Sequence, residues 1–494
     1  MAKSSAGNRL LSIAGRHLLP HGRVDRSCTE VGLESQNISS LFLTPRSVVF
    51  IGVPRKSGPG ALNPVDNLRN WGYEGVIHLV HPHVREIAGL SVLPNVSELD
   101  GPVDLAVIST PRQTIPGIIR ECGEKGIRAI VVTNQGFAEA DSQGKELHNE
   151  MLETAPAFGI RFLGPNTLGV SNAFHGFNSS FMPLDQEELP IGLVCQSGLF
   201  FVGASHVIGG MGIGVDVGNA CDIDVVDALE WLGQDERLKV IAVHAEEIPG
   251  RNGFMERVEK VCRRIPIVAL KTGRSKDGAR AAASHSGSMA GEDRIVHAAL
   301  RKAGVIRVHE SEVLADLVRG FVRLPLIRGP RVALITVTGG GGIILMDAME
   351  RYGLLLAQFS PRTLDRIVGL SPDWMPLTNP IDIWPAVMKN GMRKAYGAAL
   401  EDALLDPNVD GELCIALGLH KAEQAHLGAE QVIRELSEKF DKPIVVWFYG
   451  SEPQEAARRL EEHGRAMAVP SLERAVRVLS GMFRYVNWTR GLQG

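Results

Sequence analysis

The stretch RVALITVTGGGG, residues 331–342, sets a mostly apolar run, closed by Thr338, against four glycines. A nearly continuous apolar run of this kind suits a strand buried on both faces, as in parallel sheets. Glycines placed straight after it let the chain turn sharply into the next element. Reading outward, IGLVCQSG (191–198) repeats the arrangement, and VVFIG (48–52) opens the chain's first ordered part in the same way. From Val48 onward, strand-like runs alternate with amphipathic stretches, the pattern of α/β layers.

Residues 186–327 and 328–494 read as two copies of one flavodoxin-like plan. Strand Ile191–Cys195 into Gln196-Ser197-Gly198 matches strand Arg331–Val337 into Thr338 and the glycine run. Asn219-x-x-Asp222 matches Asn379-x-x-Asp382, strand Val240–His244 matches Leu413–Leu417, and Pro-Ile-Val follows at Pro266 and again at Pro443. A joint rich in Pro and Arg, Leu324–Pro330, separates the copies. Ahead of them, residues 41–185 carry five strand candidates: Val48–Gly52, Val76–Val80, Leu105–Ser109, Ala129–Thr133 and Arg161–Leu163. Amphipathic stretches Thr114–Lys125 and Gly144–Phe158 lie between them, so a Rossmann-like domain is expected. Residues 1–40 show no period and no acid before Asp25. A flexible extension is expected there, a transit peptide being the other reading.

A net charge of −4 gives no electrostatic case for nucleic acid or an anionic membrane. No apolar run approaches the ~18 residues of a membrane-spanning helix. The cysteines at 28, 122, 195, 221, 262 and 414 form no C-x-x-C pair, which favours free thiols in a reducing cytoplasm over a zinc knuckle or disulfide framework.

The candidate chemistry centres on IPIVALKTGRSKDGARAAASHSGSMAG (265–291), where a buried strand runs into a loop of Gly, Ala and Ser bearing His285. Small neighbours leave an imidazole accessible and mobile, as a nucleophilic histidine requires. The strand Val240–His244 ends in Ala245-Glu246-Glu247, where either carboxylate could fix the tautomer of such an imidazole. The turns at Ser197-Gly198 and at Gly340-Gly341 each precede a helix, whose free N–H groups bind phosphoryl oxygens; tight turns needed only for packing would look the same. Gly52 to Gly60 resembles a phosphate-cradling turn without the G-x-G-x-x-G spacing of a nicotinamide site. Lys271 and Arg274 flank the histidine segment as possible anion holders. The histidines at 206, 244, 297, 309, 420, 426 and 463 show no metal-ligand spacing and receive no role.

On these residues the chain resembles the α subunits of ADP-forming acyl-CoA synthetases, relatives of succinyl-CoA synthetase. The motifs are LTPRSVVFIGVPR (43–55), PVDLAVI (102–108), ECGEKGI (121–127), GFAEA (136–140), GIRFLGPNTLG (159–169), QSG (196–198), VGN (217–219), KTGRS (271–275), ARAAASHSG (279–287), the glycine run (339–342) and NPID (379–382). The resemblance implies that carboxylate, CoA and ATP exchange with acyl-CoA, ADP and phosphate through an acyl phosphate and a phosphohistidine at His285. It implies that Glu246 steadies that phosphohistidine, and that Ser197, Gly198, Gly340 and Gly341 bind phosphate. Gly52, Val53, Pro54, Lys56 and Gly60 would hold CoA, with Asn166 near the active centre.

Nucleotide handling in that family belongs to an ATP-grasp domain, and none is recognisable here. A β subunit bringing ATP or ADP and Mg2+ is therefore expected, in an α2β2-type assembly with a small carboxylic acid as substrate. Departures from the pattern are Leu199-Phe200-Phe201 after the QSG turn, expected to reshape the acyl site, GPNT at 164–167, the all-glycine run, and GVPRKSGPGAL (52–62). A non-catalytic CoA-binding regulatory module is the alternative; the presence of both His285 and Glu246 argues against it. A nicotinamide oxidoreductase would need an acid after the second strand, where His81-Pro82 stands.

Overall fold

The computed structural model describes residues 38–58, 60–248, 253–286, 293–375, 378–420 and 428–491, with the main chain alone for 283–286. Its strands form three sheets. The first contains β1 (Ser47–Ile51), β2 (Val76–Val80), β3 (Glu86–Ile87), β4 (Leu90–Leu93), β5 (Leu105–Ile108), β6 (Ala129–Val132) and β7 (Arg161–Leu163), in the order β3-β4-β2-β1-β5-β6-β7. All its pairings are parallel except β3 with β4. That is the Rossmann-like arrangement expected, enlarged by the two short strands β3 and β4, which the sequence pattern did not single out.

The second sheet contains β8 (Gly169–Asn172), β9 (Phe177–Asn178), β10 (Ile191–Cys195), β11 (Ile213–Asp216), β12 (Val240–Ala245), β13 (Ile267–Lys271) and β14 (Ile306–Val308). The third contains β15 (Arg331–Thr336), β16 (Leu355–Leu356), β17 (Ile381–Asp382), β18 (Gly411–Leu417), β19 (Ile444–Tyr449) and β20 (Met467–Ala468). The second runs β14-β13-β12-β10-β11 before its antiparallel edge β8-β9; the third runs β20-β19-β18-β15-β16, with β17 also on β15. Five parallel strands therefore recur in the same 2-1-3-4-5 order, that of flavodoxin-like sheets. The duplication read from sequence landmarks is a duplication of topology. One landmark pair diverges: Asn379-x-x-Asp382 enters strand β17, whereas Asn219-x-x-Asp222 stays outside the strands.

Strands β8 and β9 lie inside the stretch 41–185 but join the second sheet, β8 pairing with β11 and β9 with β8. Their polar residues are buried, and hydrogen bonds engage part of each. Asn172 Nδ2 donates to Leu43 O (3.0 Å), and Ser179 Oγ accepts from Val170 N–H (2.9 Å). The seam between the first two sheets is closed further by Phe42 stacked on Trp231 at 5.2 Å and by Arg161 bonded to Asp222 and Asp227. The second and third sheets share one core. Leu317 and Phe321 of helix Ser311–Arg323 and Val476, Leu479 and Met482 of helix Leu472–Gly491 bury against Leu193 of β10 and Leu334 of β15. Arg474 of the latter helix forks onto the buried Asp316 of the former, at 2.5 and 2.8 Å.

The expected histidine loop is a helix over most of its length. Lys276–Ser286 is α-helical, and His285 falls in its last turn. Ser275 Oγ accepts from Gly278 N–H at 3.0 Å and starts the helix, and Ala279, Ala281, Ala282 and Ala283 are the strongest helix formers. The His285 side chain and residues 287–292, like residues 1–37, lie outside the described part.

Candidate active site

The site assembles at the carboxyl edge of the second sheet, where open α/β sheets place ligands. Strand β10 ends in Gln196-Ser197-Gly198, and Ser197 is the N-cap of helix Gly198–Val202. Five residues make a short helix with little dipole, and Ser197 Oγ accepts its Leu199 N–H at 3.4 Å. Gln196 points across the edge. Its Oε1 accepts the N–H groups of Glu246 and Glu247 at 2.8 and 3.0 Å. From the other side, the buried Lys271 Nζ donates to Glu246 O and Thr272 O, both at 2.6 Å. Burial lowers the Lys271 ammonium from the usual lysine range. The Glu246 main chain is thus held by the phosphate turn through its N–H and by β13 through its C=O. Helix Lys276–Ser286 leaves the same edge after Thr272-Gly273-Arg274-Ser275. Arg274 Nη1 is bonded to His309 Nδ1 at 2.6 Å, so it serves local structure.

Asp216, at the end of β11, is fully buried and accepts from Leu168 N–H (2.8 Å) and Gly218 N–H (3.2 Å). Burial pushes its carboxyl up to about 6, and the charge of Glu246 adds to the rise. Its folded pKa exceeds the unfolded 3.8, so its stabilisation is fully present below pH 3.8 and is lost as pH rises through about 6. At 1.36 kcal/mol per decade the swing is on the order of 3 kcal/mol. Melting curves from pH 4 to 7 should fall with pH more steeply for the natural chain than for Asp216→Asn. Equal slopes would assign the titration elsewhere.

Asn166 reaches this edge from the first sheet. The loop after β7 holds it at φ +60°, and its Nδ2 donates to Asn219 Oδ1 at 3.2 Å, while Asn219 Nδ2 donates to Glu139 Oε2 at 3.0 Å. Gly218 lies so close beneath that a Cβ there would sit 2.5 Å from Asn166 O and Pro165 O. Asn166 therefore belongs to the seam beside the phosphate turn. Gly52 follows β1, three strand spacings away, or about 14 Å.

At the first sheet's own edge, Gly52 has φ +87°, and a Cβ on it would meet Thr110 Cγ2 at 2.6 Å and Ser109 O at 2.7 Å. Asn63 Nδ2 donates to Pro54 O and Lys56 O, folding the loop's carbonyls toward the protein and leaving Arg55 and Lys56 exposed. Asp66, in the first turn of helix Pro64–Asn70, takes the Gly58 N–H at 2.7 Å. A protein carboxylate thus already serves the Gly58 N–H, while Val53–Ser57 lie in a loop whose Arg55 and Lys56 are exposed. These residues fit a phosphate-bearing group there.

In the third sheet, Thr338 is the N-cap of helix Gly339–Tyr352. Gly340 is exposed, with open space where a Cβ would stand. Gly341 is buried, and a Cβ on it would meet Ile415 Cδ1 at 2.5 Å, so packing accounts for this glycine. Of the Leu199-Phe200-Phe201 departure, Phe200 and Phe201 are core residues, and Leu199 alone faces outward, 69 % exposed. The reshaping expected of all three reduces to one side chain. Sequence reasoning passed over His244 and Gln196. Both had a signal: His244 is a titratable residue in the buried strand VIAVHA, and Gln196 opens the turn.

Comparison with known proteins agrees with this architecture. A CoA binding domain model matches residues 46–173, a succinyl-CoA ligase-like flavodoxin domain model matches 189–321, and a ligase-CoA domain model matches 332–493. The α subunit of ADP-forming acetate–CoA ligase I from Pyrococcus furiosus is 34 % identical over 92 % of this chain and 98 % of its own length. ADP-forming acetate–CoA ligase II from Archaeoglobus fulgidus is 37 % identical over 74 % of this chain, which spans only 55 % of that longer protein. The dinucleotide-forming acetyl-coenzyme A synthetase 1 of Ca. Korarchaeum cryptofilum, solved with phosphate and ADP, superposes with a TM-score of 0.81 at 29 % identity, covering 92 % of this chain and 98 % of that one. Fold and site define a CoA-binding acyl-CoA ligase chain. It belongs to the family of ADP-forming acid–CoA ligases and corresponds to their α subunit.

Proposed function

We propose that this chain, with a partner carrying the nucleotide site, interconverts a small carboxylic acid, CoA and ATP with acyl-CoA, ADP and phosphate. The supporting observation is the clamp on Glu246: Gln196 of the phosphate turn on its N–H and Lys271 on its C=O, at the edge from which the helix of His285 departs. In the direction that yields ATP, phosphate displaces CoA from the acyl group, giving an acyl phosphate. An imidazole nitrogen of His285 attacks phosphorus; the P–N bond forms, the P–O bond to the acyl group breaks, and the carboxylate leaves. The Glu246 carboxylate accepts a hydrogen bond from the other ring nitrogen and balances the cationic ring. Ser197 and Gly198 offer N–H groups to the phosphoryl oxygens, and Asn166 borders the same space. The Gly340 end of the third sheet is a second phosphate cradle. Gly52, Val53, Pro54, Lys56 and Gly60 hold the CoA diphosphate.

An ATP-grasp β subunit would supply ATP or ADP with Mg2+, in an α2β2-type cytoplasmic assembly. The division at 41–185, 186–327 and 328–494 assigns CoA, phosphohistidine and second flavodoxin-like roles. The test joins this chain with such a subunit, a panel of short acids, CoA and ATP, and follows ADP release with acyl-CoA formation. ATP consumption by the partner alone, without acyl-CoA, counts against the reading. Gly52→Ala forces a side chain onto Ser109 and Thr110, and calorimetry should show CoA affinity lowered at least about tenfold.

A further inference from the structure

His244 is 4 % exposed, near the end of β12 and two residues before Glu246. Its ring lies flat on Phe200, with centroids 4.1 Å apart and planes within 12°. Phe200 belongs to the helix that Ser197 caps. The ring's Nε2 is 3.3 Å from the Thr272 hydroxyl, at the root of the segment leading into helix Lys276–Ser286. Nδ1 is buried and has no hydrogen-bond partner among the described residues. Burial, then the neighbouring Lys271 charge, lower this imidazole to about 4, so the ring is neutral near pH 7.

Packing alone does not account for a histidine here. A phenylalanine would stack on Phe200 equally well and would leave no buried nitrogen without a partner, which is costly. What imidazole supplies and phenyl does not is the bond to Thr272. The Thr272 hydroxyl is also 3.5 Å from Ala245 O, so hydroxyl to carbonyl and Nε2–H to hydroxyl is one consistent arrangement. It leaves Nδ1 as a bare lone pair, which is cheaper to bury than an N–H. Three pieces of the site then meet on one ring: the phosphate turn through Phe200, the Glu246 strand through the main chain, and the root of the His285 helix through Thr272.

We propose that His244 is a positioning residue for phosphoryl transfer, its Nε2–Thr272 bond and Phe200 stack setting the phosphate turn, Glu246 and the base of the His285 helix in one register. The inference rests on the role given to Glu246 above. The experiment compares His244→Phe, Thr272→Val, their double variant, His244→Gln and Glu246→Gln in the assembled enzyme. His244→Phe should lower kcat and phosphohistidine yield about 10- to 100-fold, leaving KM for CoA within about twofold. Thr272→Val should reproduce the loss, and the double variant should be no worse than either single one. His244→Gln, whose Nε2 can occupy the same place, should recover much of the rate. Unchanged kcat in His244→Phe, or losses that multiply in the double variant, would overturn the inference. If Glu246→Gln keeps full phosphohistidine yield, the proposed role of Glu246 fails first and the inference with it; if it loses that yield while His244→Phe does not, only the inference fails.

Discussion

His285→Ala is expected to eliminate acid–CoA ligation and acid-labile phosphate on the chain, a loss of at least about 1000-fold, because it removes the atom that accepts the phosphoryl group. Without that nitrogen there is no covalent intermediate, so remaining turnover would have to pass phosphate directly between two sites. CoA binding should survive, since the Gly52 turn belongs to another sheet. Fold stability should survive too. His285 is in the last turn of helix Lys276–Ser286, and alanine has the higher helix propensity. Labelled ATP with the partner subunit reads the phosphoenzyme, calorimetry reads CoA, and a thermal melt reads the fold. Turnover near the natural rate in a chain without this imidazole would refute the phosphohistidine route.

The longer parallel strands, such as Ser47–Ile51, Ile191–Cys195, Val240–Ala245 and Gly411–Leu417, were legible because each is largely an apolar run, and burial on both faces demands that composition. Ile213–Asp216, Ile306–Val308 and Ile381–Asp382 were too short or too mixed to be named. The edges were not legible. Gly169–Asn172 and Phe177–Asn178 hold Ser171, Asn172 and Asn178, which look like a loop until long-range hydrogen bonds to Leu43 and within the segment let them be buried. No local pattern encodes such partners. The histidine segment misled for the opposite reason: its Gly, Ser and Ala suggested a loop, but a serine cap and four alanines favour helix. At the site, spacing picked out Ser197, Glu246 and Lys271 as edge residues. What it missed was contact: that Gln196 and Lys271 grip the same peptide, that Phe200 and Phe201 turn inward, and that His244 is enclosed among them.

Because that grip acts on main-chain atoms, Glu246→Gln isolates the carboxylate charge. Gln196 still accepts the residue's N–H and Lys271 still meets its C=O, so the new side chain starts from the same place with nearly the same shape. What changes is the sign of the partner offered to a cationic phosphohistidine. An amide balances no charge and presents an acceptor only in one of its two orientations. Removing a charge-assisted hydrogen bond at the reacting ring should lower kcat about 100-fold, or about 2.7 kcal/mol at 1.36 kcal/mol per decade. Phosphohistidine yield at equilibrium should fall with it, since the product ring loses its counter-charge. Glu247→Gln is the matched control. It shares the Gln196 acceptor through its own N–H and lies one residue further past the end of β12, so it carries the same charge beside the same main-chain grip. Its rate should stay within about threefold of the natural chain. Should the two variants exchange these outcomes, Glu247 holds the ring.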